Sequence, residues 1–299
     1  MLDYPSLRAV ALIVQTGSFE KAAQIMNVTP SAISQRIKLL EERLGTVLIE
    51  RGTPCLATEN GEWLCRHMEH IGLLEQELFK QLPSLANQVP DGQKATLHIA
   101  TNADSLATWF LEPVSNFAKT KGYLLDIAVD DQHHTASWLR RGRVTAAVTA
   151  LKSPVQGCRI YPLGALRFHA TASPDFFQQY FKNGVTPDSL IQAPTLTFNQ
   201  KDHLQDQWLQ QTMGQVLFCQ THWLPSTHSF VEAAVSGLGW CMNPSLLVNE
   251  HLKTGRLVEI IPDTPLDIPL FWQVSRLAEG PLEGLTREII SAARNKLVQ

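Results

Sequence analysis

The chain has 299 residues, of which 44% are hydrophobic and 18% are charged, and its formal net charge is −3 at pH 7. A chain of this length can form two or three compact units. No apolar run approaches the roughly 20 residues that a membrane-spanning helix needs, which excludes a membrane-embedded protein. The first ten residues contain Asp3 and lack a basic region, so we expect no secretory signal, no membrane partner and a cytoplasmic location.

The cysteines and histidines show no pattern typical of a disulfide framework or a metal site. The five cysteines are scattered, odd in number and without a CxxC pair, which indicates reduced thiols. His67 with His70, and His133 with His134, lack companions at metal-ligand spacing. We therefore expect neither a metal nor any other cofactor.

The N-terminal residues predict two short helices. Residues 4–17 carry apolar side chains at helical spacing, and Gly17 ends this first helix. Ser18 is a good N-cap for a second helix over residues 19–27. Residues 27–30 (NVTP) then break the apolar stripe of the second helix.

A third helix follows this break, and its polar face differs from that of the second. Its apolar stripe consists of Ile33, Ile37, Leu40 and Leu44. The opposite face offers hydroxyls, an amide and cations, which can reach base edges and phosphates. Two helices with such a face are typical of a helix-turn-helix that enters a DNA major groove; the alternative is an ordinary helical hairpin with a solvated face. The candidate DNA-binding residues here are Ser31, Ser34, Gln35, Arg36 and Lys38.

Two short β-prone runs follow the third helix. Residues 47–49 and 56–58 flank a Gly/Pro turn, and Arg51 lies near the tip of that turn. Such a hairpin, or wing, usually lies along the DNA backbone, where Arg51 would contact a phosphate. We therefore predict a winged helix-turn-helix over residues 1–58, with double-stranded DNA as its partner.

Net charge gives the DNA-binding prediction little support. Residues 1–82 hold 8 Lys/Arg against 10 Asp/Glu, and only the run 31–51 is positive. A DNA-binding unit of this kind must concentrate its cations on one face and act in two or more copies.

A long helix is predicted over residues 59–82. Its apolar residues repeat at three to four positions, and one small winged domain cannot bury so long a seam. We expect the seam to pack against a second copy of the chain; the alternative is a lone capping helix. The candidate dimerisation residues are Leu64, Met68, Ile71 and Leu78.

Residues 83–93 are rich in proline, glycine and small polar residues and predict a hinge. In residues 94–299 strands alternate with helices, which predicts a parallel sheet. Two α/β lobes joined by two crossings, about 94–164 with 268–299 and about 165–267, would form a cleft of the periplasmic-binding-protein type. The predicted strands cover residues 95–102, 123–131, 144–150, a strand pair within 158–173, 194–199, 216–223 and 268–275.

The ends of these strands nominate a ligand site between the lobes, because ligands of open α/β sheets bind at the carboxyl ends of strands. Hydroxyls and free N–H groups at a helix N-terminus can hold a carboxylate, and acids can pair with an ammonium or guanidinium. For the Ser and Asp residues, helix capping is the alternative role. The candidate effector-binding residues are Asn102, Asp104, Ser105, Asp130, Asp131, Phe198, Asn199, Asp202, Ser226, Thr227 and Ser229.

The run AAQIMNVTPSAISQRIKLLEERLGTVLIERG, continued by LATENGE, resembles the winged helix-turn-helix of the LysR-type transcriptional regulators. Ile49 replaces the aromatic residue often found after Leu48. Length, linker and C-terminal layout also agree, so the resemblance covers the whole chain. It implies a homodimer or homotetramer whose linker helices pair two DNA-binding heads on a dyad-symmetric promoter site, with RNA polymerase as a further partner. The matching residues are Ala22, Ala23, Ser31, Ala32, Ser34, Leu40, Glu41, Leu44, Gly45, Leu48, Arg51, Thr58 and Gly61.

A narrower resemblance concerns the effector. NADSLATWFL at 102–111, with LRRGRVTAAVTA, LGALRFHATASPDF and QYFKNGV, is similar to the branch that answers to lysine and arginine. That branch controls basic amino-acid export genes and is also described as inhibiting replication initiation. The resemblance implies that Ser105 and nearby amides take the α-carboxylate, and Asp130, Asp131 or Asp202 the cationic end. Asn199 stands where the branch tends to carry an aspartate, so a neutral or aromatic amino acid stays an alternative effector.

The sequence therefore predicts a DNA-binding transcriptional regulator of transport or export genes that an amino acid modulates. Catalysis is not expected, because the chain has no Ser/His/Asp order, no GxSxG and no phosphate-loop glycines. A second alternative is an amino-acid sensor or carrier whose N-terminal helices only dimerise, although the polar face at residues 34–38 argues against it. The sequence leaves the target genes and the direction of control open.

Overall fold

The computed structural model describes residues 2–82 and 95–299. The chain divides into two compact units, Met1–Thr96 (unit 1) and Leu97–Gln299 (unit 2). The predicted hinge, residues 83–93, lies outside the described residues. Among the helices that the structure describes, none is long and apolar enough to cross a membrane.

Unit 1 consists of three short helices, a two-stranded hairpin and a long helix, as the winged helix-turn-helix prediction requires. The two strands pair antiparallel, with Ile49 opposite Ala57. The elements are α1 (Tyr4–Thr16), α2 (Phe19–Ile25), α3 (Pro30–Leu44), β1 (Ile49–Glu50), β2 (Leu56–Ala57) and α4 (Glu59–Gln81).

Capping residues set the helix boundaries of unit 1. Gly17 ends α1 in the left-handed region at φ 67°, which glycine adopts without steric cost. The hydroxyls of Ser18, Thr29 and Thr58 each accept a hydrogen bond from a backbone N–H in the first turn of α2, α3 and α4, at 3.2–3.3 Å. The predicted role of Ser18 as an N-cap is confirmed.

The core of unit 1 lies where α1, α2 and α3 meet, and it also receives the first turns of α4. Leu64 and Met68 pack against this core. Both residues are half-buried there, because the first turns of α4 lie along α1 of the same unit. The pairing of the α4 seam with a second chain stays a prediction. Ile71 is half-buried, and Leu78 is exposed. The exposed leucines begin in the second half of α4.

Unit 2 is an α/β unit that continues from strand β3. A π-helical turn, Leu106–Phe110, separates its first two helices, and a 3₁₀ turn, Arg276–Ala278, precedes its last helix. The elements are β3 (Thr96–Thr101), α5 (Ala103–Ser105), α6 (Leu111–Lys121), β4 (Leu124–Val129), α7 (Ala136–Arg140), β5 (Ala146–Thr149), β6 (Cys158–Ala172), α8 (Pro174–Phe181), α9 (Pro187–Gln192), β7 (Thr195–Thr197), α10 (Leu204–Met213), β8 (Thr221–Trp223), α11 (Thr227–Val235), β9 (Cys241–Pro244), α12 (Ser245–Lys253), β10 (Val258–Glu259), β11 (Leu266–Ser275) and α13 (Glu283–Lys296).

The main sheet is mixed, so the prediction of a parallel sheet is wrong in part. Its strand order is β10-β6-β11-β5-β3-β4, with β9 also paired to β6. β3 and β5 are parallel, as expected for strands joined through a helix. β11 runs antiparallel to both β5 and β6, because it brings the chain back across the unit.

Several strand boundaries differ from the predictions. Residues 158–173 do not form a strand pair; they form the single long strand β6, which keeps its pairing with β11 through an irregularity at Leu270/Phe271. Of the predicted strand at 216–223, only Thr221–Trp223 pairs, and Phe218 is exposed. Strand β9 and helix α12 were not predicted.

Strands β6 and β11 divide unit 2 into two halves. Lobe 1 contains β3, β4 and β5 with their helices and α13; lobe 2 contains the elements from α8 to β10. The predicted crossing points, after residues 164 and 267, fall inside β6 and β11. In lobe 2, β7 pairs parallel with β8, and Trp208 and Trp240 pack together in its core with ring centroids 5.4 Å apart.

Candidate functional site

The first candidate site is the outer face of α3 in unit 1. Ser31, Gln35 and Lys38 are exposed on it, while Ser34 and Arg36 are half-buried. Lys38 Nζ lies 3.7 Å from a carboxylate oxygen of Glu42, and both side chains are more than half exposed. An exposed pair of this kind contributes little free energy, so the Lys38 ammonium can exchange this partner for another.

Arg36 and Gln35 both line a groove between α3 and the start of α1. Asp3, Leu39 and Arg43 line the same groove. Gln35 therefore belongs both to this groove and to the exposed face of α3, while Arg36 lies at the flank of that face.

Two contacts fix the wing against the helices of unit 1. The Arg51 guanidinium lies over the Phe19 ring, 4.9 Å from its centroid, so the start of α2 supports the cation at the wing. The Glu41 carboxylate on α3 accepts hydrogen bonds from the backbone N–H groups of Leu48 at 2.8 Å and Ile49 at 3.3 Å. Sequence reasoning matched Glu41 to a family position and gave it no role.

The second candidate site is a cavity between lobe 1 and lobe 2 of unit 2. Its empty volume, counted out to open solvent, is about 650 Å³. Lobe 1 contributes the carboxyl ends of β3 and β4, and lobe 2 the ends of β7 and β9 and the start of α11. The lining residues are Asn102, Ala103, Asp104, Val129, Asp130, Asp131, Gln132, Phe198, Asn199, Asp202, Leu204, Thr227, Phe230, Met242, Asn243 and Pro244.

Most of the predicted effector-binding residues meet at this cavity, and three do not line it. Ser105 is fully buried and is not among the lining residues. The Ser226 hydroxyl accepts a hydrogen bond from the Ser229 N–H at 3.4 Å, and the two hydroxyls lie 3.0 Å apart. Ser226 therefore caps α11, which was the alternative role, and Ser229 bonds to this cap from the first turn of the helix. The predicted residues that line the cavity are Asn102, Asp104, Asp130, Asp131, Phe198, Asn199, Asp202 and Thr227.

Carboxylates dominate the electrostatics of the cavity. Burial raises the pKa of Asp104 to about 7; the Thr227 hydroxyl opposes this rise without reaching full hydrogen-bond geometry, and the negative charges of Asp202 and Asp131 add to it. Burial also raises the pKa of Asp202, although its carboxylate accepts hydrogen bonds from two backbone N–H groups.

Asp130 differs from the other acids because it has a cationic partner. Lys201 Nζ lies 2.9 Å from Asp130 Oδ1, and Trp138 Nε1 donates to Oδ2 at 3.1 Å. Burial alone would raise the pKa of Asp130, but the hydrogen bonds from Lys201, Trp138 and the Asp131 backbone N–H, together with the positive charge of Lys201, lower it. Asp130 is thus ionised and held in place.

Several buried polar groups along the cavity find no hydrogen-bond partner in the described part of the chain. Asn102 is 2% exposed, and neither its Oδ1 nor its Nδ2 is paired. Thr227 Oγ1 and Asn243 Oδ1 are also unpaired. A buried polar group without a partner costs free energy, so these groups suit a polar ligand that satisfies them.

Strand β9 supplies lining residues that sequence reasoning missed. Met242, Asn243 and Pro244 lie on it, and Asn243 donates through Nδ2 to Thr171 Oγ1 at 2.9 Å. The apolar run that follows Gly239 was the available signal. Among the described residues, no group of His, Cys, Asp and Glu has the arrangement of a metal site.

Comparison with known proteins covers both units. Residues 5–62 match the lysR family of bacterial regulatory helix-turn-helix proteins, and residues 90–296 match the LysR substrate binding domain. The chain is 40% identical over 298 residues to the HTH-type transcriptional regulator ArgP of Pseudomonas fluorescens (strain Pf0-1), covering 100% of this chain and 99% of that protein.

Two solved structures are similar over the full length. The crystal structure of ArgP from Mycobacterium tuberculosis has a TM-score of 0.81 and 38% identity, covering 100% of this chain and 99% of that chain. Full-length LysG from Corynebacterium glutamicum with bound effector Arg has a TM-score of 0.70 and 35% identity, covering 100% of both chains. The predicted fold class is confirmed, and this chain belongs to the LysR family of helix-turn-helix transcriptional regulators.

Proposed function

We propose that this LysR-family regulator responds to a basic amino acid, lysine or arginine, bound between the lobes of unit 2. The observation that carries the proposal is excess negative charge: Asp104, Asp131 and Asp202 all line one cavity. Within the described residues, the ion pair at the cavity joins Lys201 to Asp130, and none of these three acids forms an ion pair with a lysine or an arginine. A ligand cation would offset the repulsion among them through charge-assisted hydrogen bonds.

The other end of such a ligand carries an α-carboxylate and an α-ammonium, which need donors and acceptors. The Asn102 amide and the Thr227 hydroxyl are buried in the same lining and unpaired in the described chain. They therefore suit the zwitterionic end, while the three acids take the side-chain cation. The relative LysG from Corynebacterium glutamicum, whose structure holds Arg as effector, supports the same ligand class.

Unit 1 supplies the DNA-binding function in this proposal. Side chains on α3 read the base edges. Arg51 at the wing contacts a backbone phosphate whatever the DNA sequence. The chain acts in the cytoplasm as a homodimer or homotetramer on a dyad-symmetric promoter site, where RNA polymerase is its further partner, and it regulates without catalysing a reaction. The α3 residues assigned to DNA are Ser31, Ser34, Gln35, Arg36 and Lys38.

A thermal-shift panel of the twenty amino acids tests the ligand class. A ligand at about 100 times its Kd stabilises the folded protein by about 2.7 kcal/mol, which raises the melting temperature by several degrees. We expect lysine, arginine or both to do so with the wild-type chain. The variant Asp202→Asn should lose the shift. Asp206→Asn, which removes an acid outside the lining, should keep it.

Two results would contradict this proposal. A shift with neutral or aromatic amino acids alone would assign a different effector, in line with Asn199 at the cavity. No shift with any of the twenty would show that the cavity does not serve as an amino-acid site. Neither result would change the family assignment or the DNA-binding function.

A further inference from the structure

An ion pair connects the two lobes of unit 2 beside the cavity. Asp130 follows β4 of lobe 1, and Lys201 lies in the turn after β7 of lobe 2. Lys201 Nζ and Asp130 Oδ1 are 2.9 Å apart, with side-chain exposures of 50% and 17%. Asp130 lines the cavity and Lys201 does not, so the pair lies at the edge of the ligand site.

The lobe 1 side of the pair is rigid. Besides the Lys201 ammonium, Asp130 Oδ1 accepts the backbone N–H of Asp131 at 2.9 Å, and Oδ2 accepts Trp138 Nε1 at 3.1 Å. Both carboxylate oxygens are thus engaged. This geometry does not favour the expectation that Asp130 offers a free carboxylate to the ligand.

The lobe 2 side is held by its own turn. Asn199 Oδ1 accepts the backbone N–H of Lys201 at 2.8 Å. The Asp202 carboxylate accepts the N–H groups of Phe198 at 3.0 Å and Leu204 at 3.1 Å. Each lobe therefore presents two adjacent residues with different roles. Asp131 and Asp202 line the cavity without an ion pair, while Asp130 and Lys201 pair with each other at its edge.

We propose that the Lys201–Asp130 pair is a latch that holds the lobes together over a bound ligand and so sets how long the ligand stays. This inference rests on the proposed function for the identity of the ligand. A ligand enclosed by residues of both lobes leaves only when the lobes separate, and separation breaks this pair. Lys201 is therefore a positioning residue that raises the barrier to release.

A competing role for Lys201 has the opposite consequence. If its ammonium occupied the place of the ligand cation, removing it would free Asp130 and strengthen the binding of basic amino acids. The latch requires the reverse change, because its loss speeds release. The sign of the effect of Lys201→Met on affinity therefore separates the two roles.

The kinetic test uses the full-length chain, L-arginine and L-lysine as probes, and stopped-flow tryptophan fluorescence. We expect Lys201→Met to raise the dissociation rate constant about fourfold and to change the association rate constant less than twofold. A fourfold change equals about 0.8 kcal/mol, in the range of a half-exposed ion pair. The matched control Lys253→Met removes an exposed lysine that pairs with Glu250 inside lobe 2 at 2.7 Å, and it should change neither constant. An unchanged dissociation rate constant, or tighter binding, in Lys201→Met would overturn the latch.

A second measurement does not depend on the ligand. Amide hydrogen exchange of the ligand-free protein reports how often the lobes open locally. Lys201→Met should speed exchange in residues 130–138 of lobe 1 as well as in 199–204 of lobe 2. Faster exchange in 199–204 alone would overturn the latch, because it shows a local role in the turn. If wild-type protein binds neither probe while exchange rises in both segments, the proposed ligand is wrong and the latch stands.

Discussion

In the cavity of unit 2, Asp104 holds its proton up to about pH 7, which links ligand binding to pH. Burial disfavours its charged form, and the neighbouring carboxylates of Asp202 and Asp131 disfavour it further. A ligand cation favours the charged form. Binding must therefore expel the proton wherever the pH lies below the pKa of free Asp104.

The affinity for arginine or lysine is expected to fall below pH 7. If only ionised Asp104 binds the cation, a pKa of about 7 makes binding about tenfold weaker at pH 6 than at pH 8. Isothermal titration calorimetry at the two pH values measures the ratio. Asp126→Asn, which removes an exposed acid of β4, should keep the same ratio. Equal wild-type affinities at pH 6 and pH 8 would show that Asp104 does not hold the cation.

At the level of single residues, local patterns located the acids and missed their partners. Asp104, Asp131 and Asp202 lie within five residues of the carboxyl end of a strand, so the strand-end rule found them. Ser226 and Ser229 satisfied the same rule, but Ser226 caps α11 and Ser229 bonds to that cap, because a hydroxyl at a helix start suits both roles. Lys201 gave no signal, since its partner Asp130 lies 71 residues away in the sequence.

At the level of elements, the start of α4 packs so closely on the wing that residue 61 must be glycine. A Cβ at Gly61 would overlap the carbonyl oxygen of Leu48, a backbone atom that cannot move alone. A Cβ at Gly72, later in the same helix, would meet open space.

Alanine at these two positions should have opposite effects on stability. Gly61→Ala is expected to destabilise the protein by about 1–3 kcal/mol, because overpacking forces the backbone apart. Gly72→Ala should stabilise it by about 0.5–1 kcal/mol, since glycine costs conformational entropy inside a helix. Thermal unfolding monitored by circular dichroism measures both changes. A stabilised Gly61→Ala variant would contradict the packing of α4 on the wing.

Glu41 connects two further elements, α3 and the wing. Its carboxylate accepts the N–H groups of Leu48 and Ile49, and both residues are buried. Glu41→Ala leaves these donors without their acceptor at a cost of about 1–3 kcal/mol and loosens the wing. In gel shifts we expect weaker binding to specific and nonspecific DNA alike. Glu42→Ala, which removes the exposed neighbour that pairs with Lys38, should change binding less. A selective loss of specific binding in Glu41→Ala would instead indicate a base contact.

Elements with a strong periodic pattern were predicted well, and those defined by distant pairing were not. Helices α1 to α4 carry apolar stripes and capping residues, which are local signals. β6 is one strand because ten residues of β11 pair along it, and that partner lies more than 90 residues later. β9 has four residues and is buried throughout, so it shows no alternation.

For the whole molecule, the second half of α4 is the part of unit 1 that suits a second copy. Leu64 and Met68 are half-buried against the core of their own unit. Leu74 and Leu78 follow at one helical turn from each other and are 57% and 43% exposed. Adjacent exposed leucines on one helix face are typical of a pairing seam.

A charge in this seam should separate the copies and weaken binding to dyad-symmetric DNA. Leu78→Glu places a carboxylate where two apolar faces would meet. The free-energy cost of burying that carboxylate is larger than the stabilisation that one leucine contributes to the seam. We expect light scattering to show a smaller assembly, and gel shifts to show at least tenfold weaker binding to a dyad site with little change on a half-site. Leu277→Glu alters an exposed leucine of unit 2 and should change neither. If Leu78→Glu keeps the wild-type mass, α4 is a capping helix and the copies meet elsewhere.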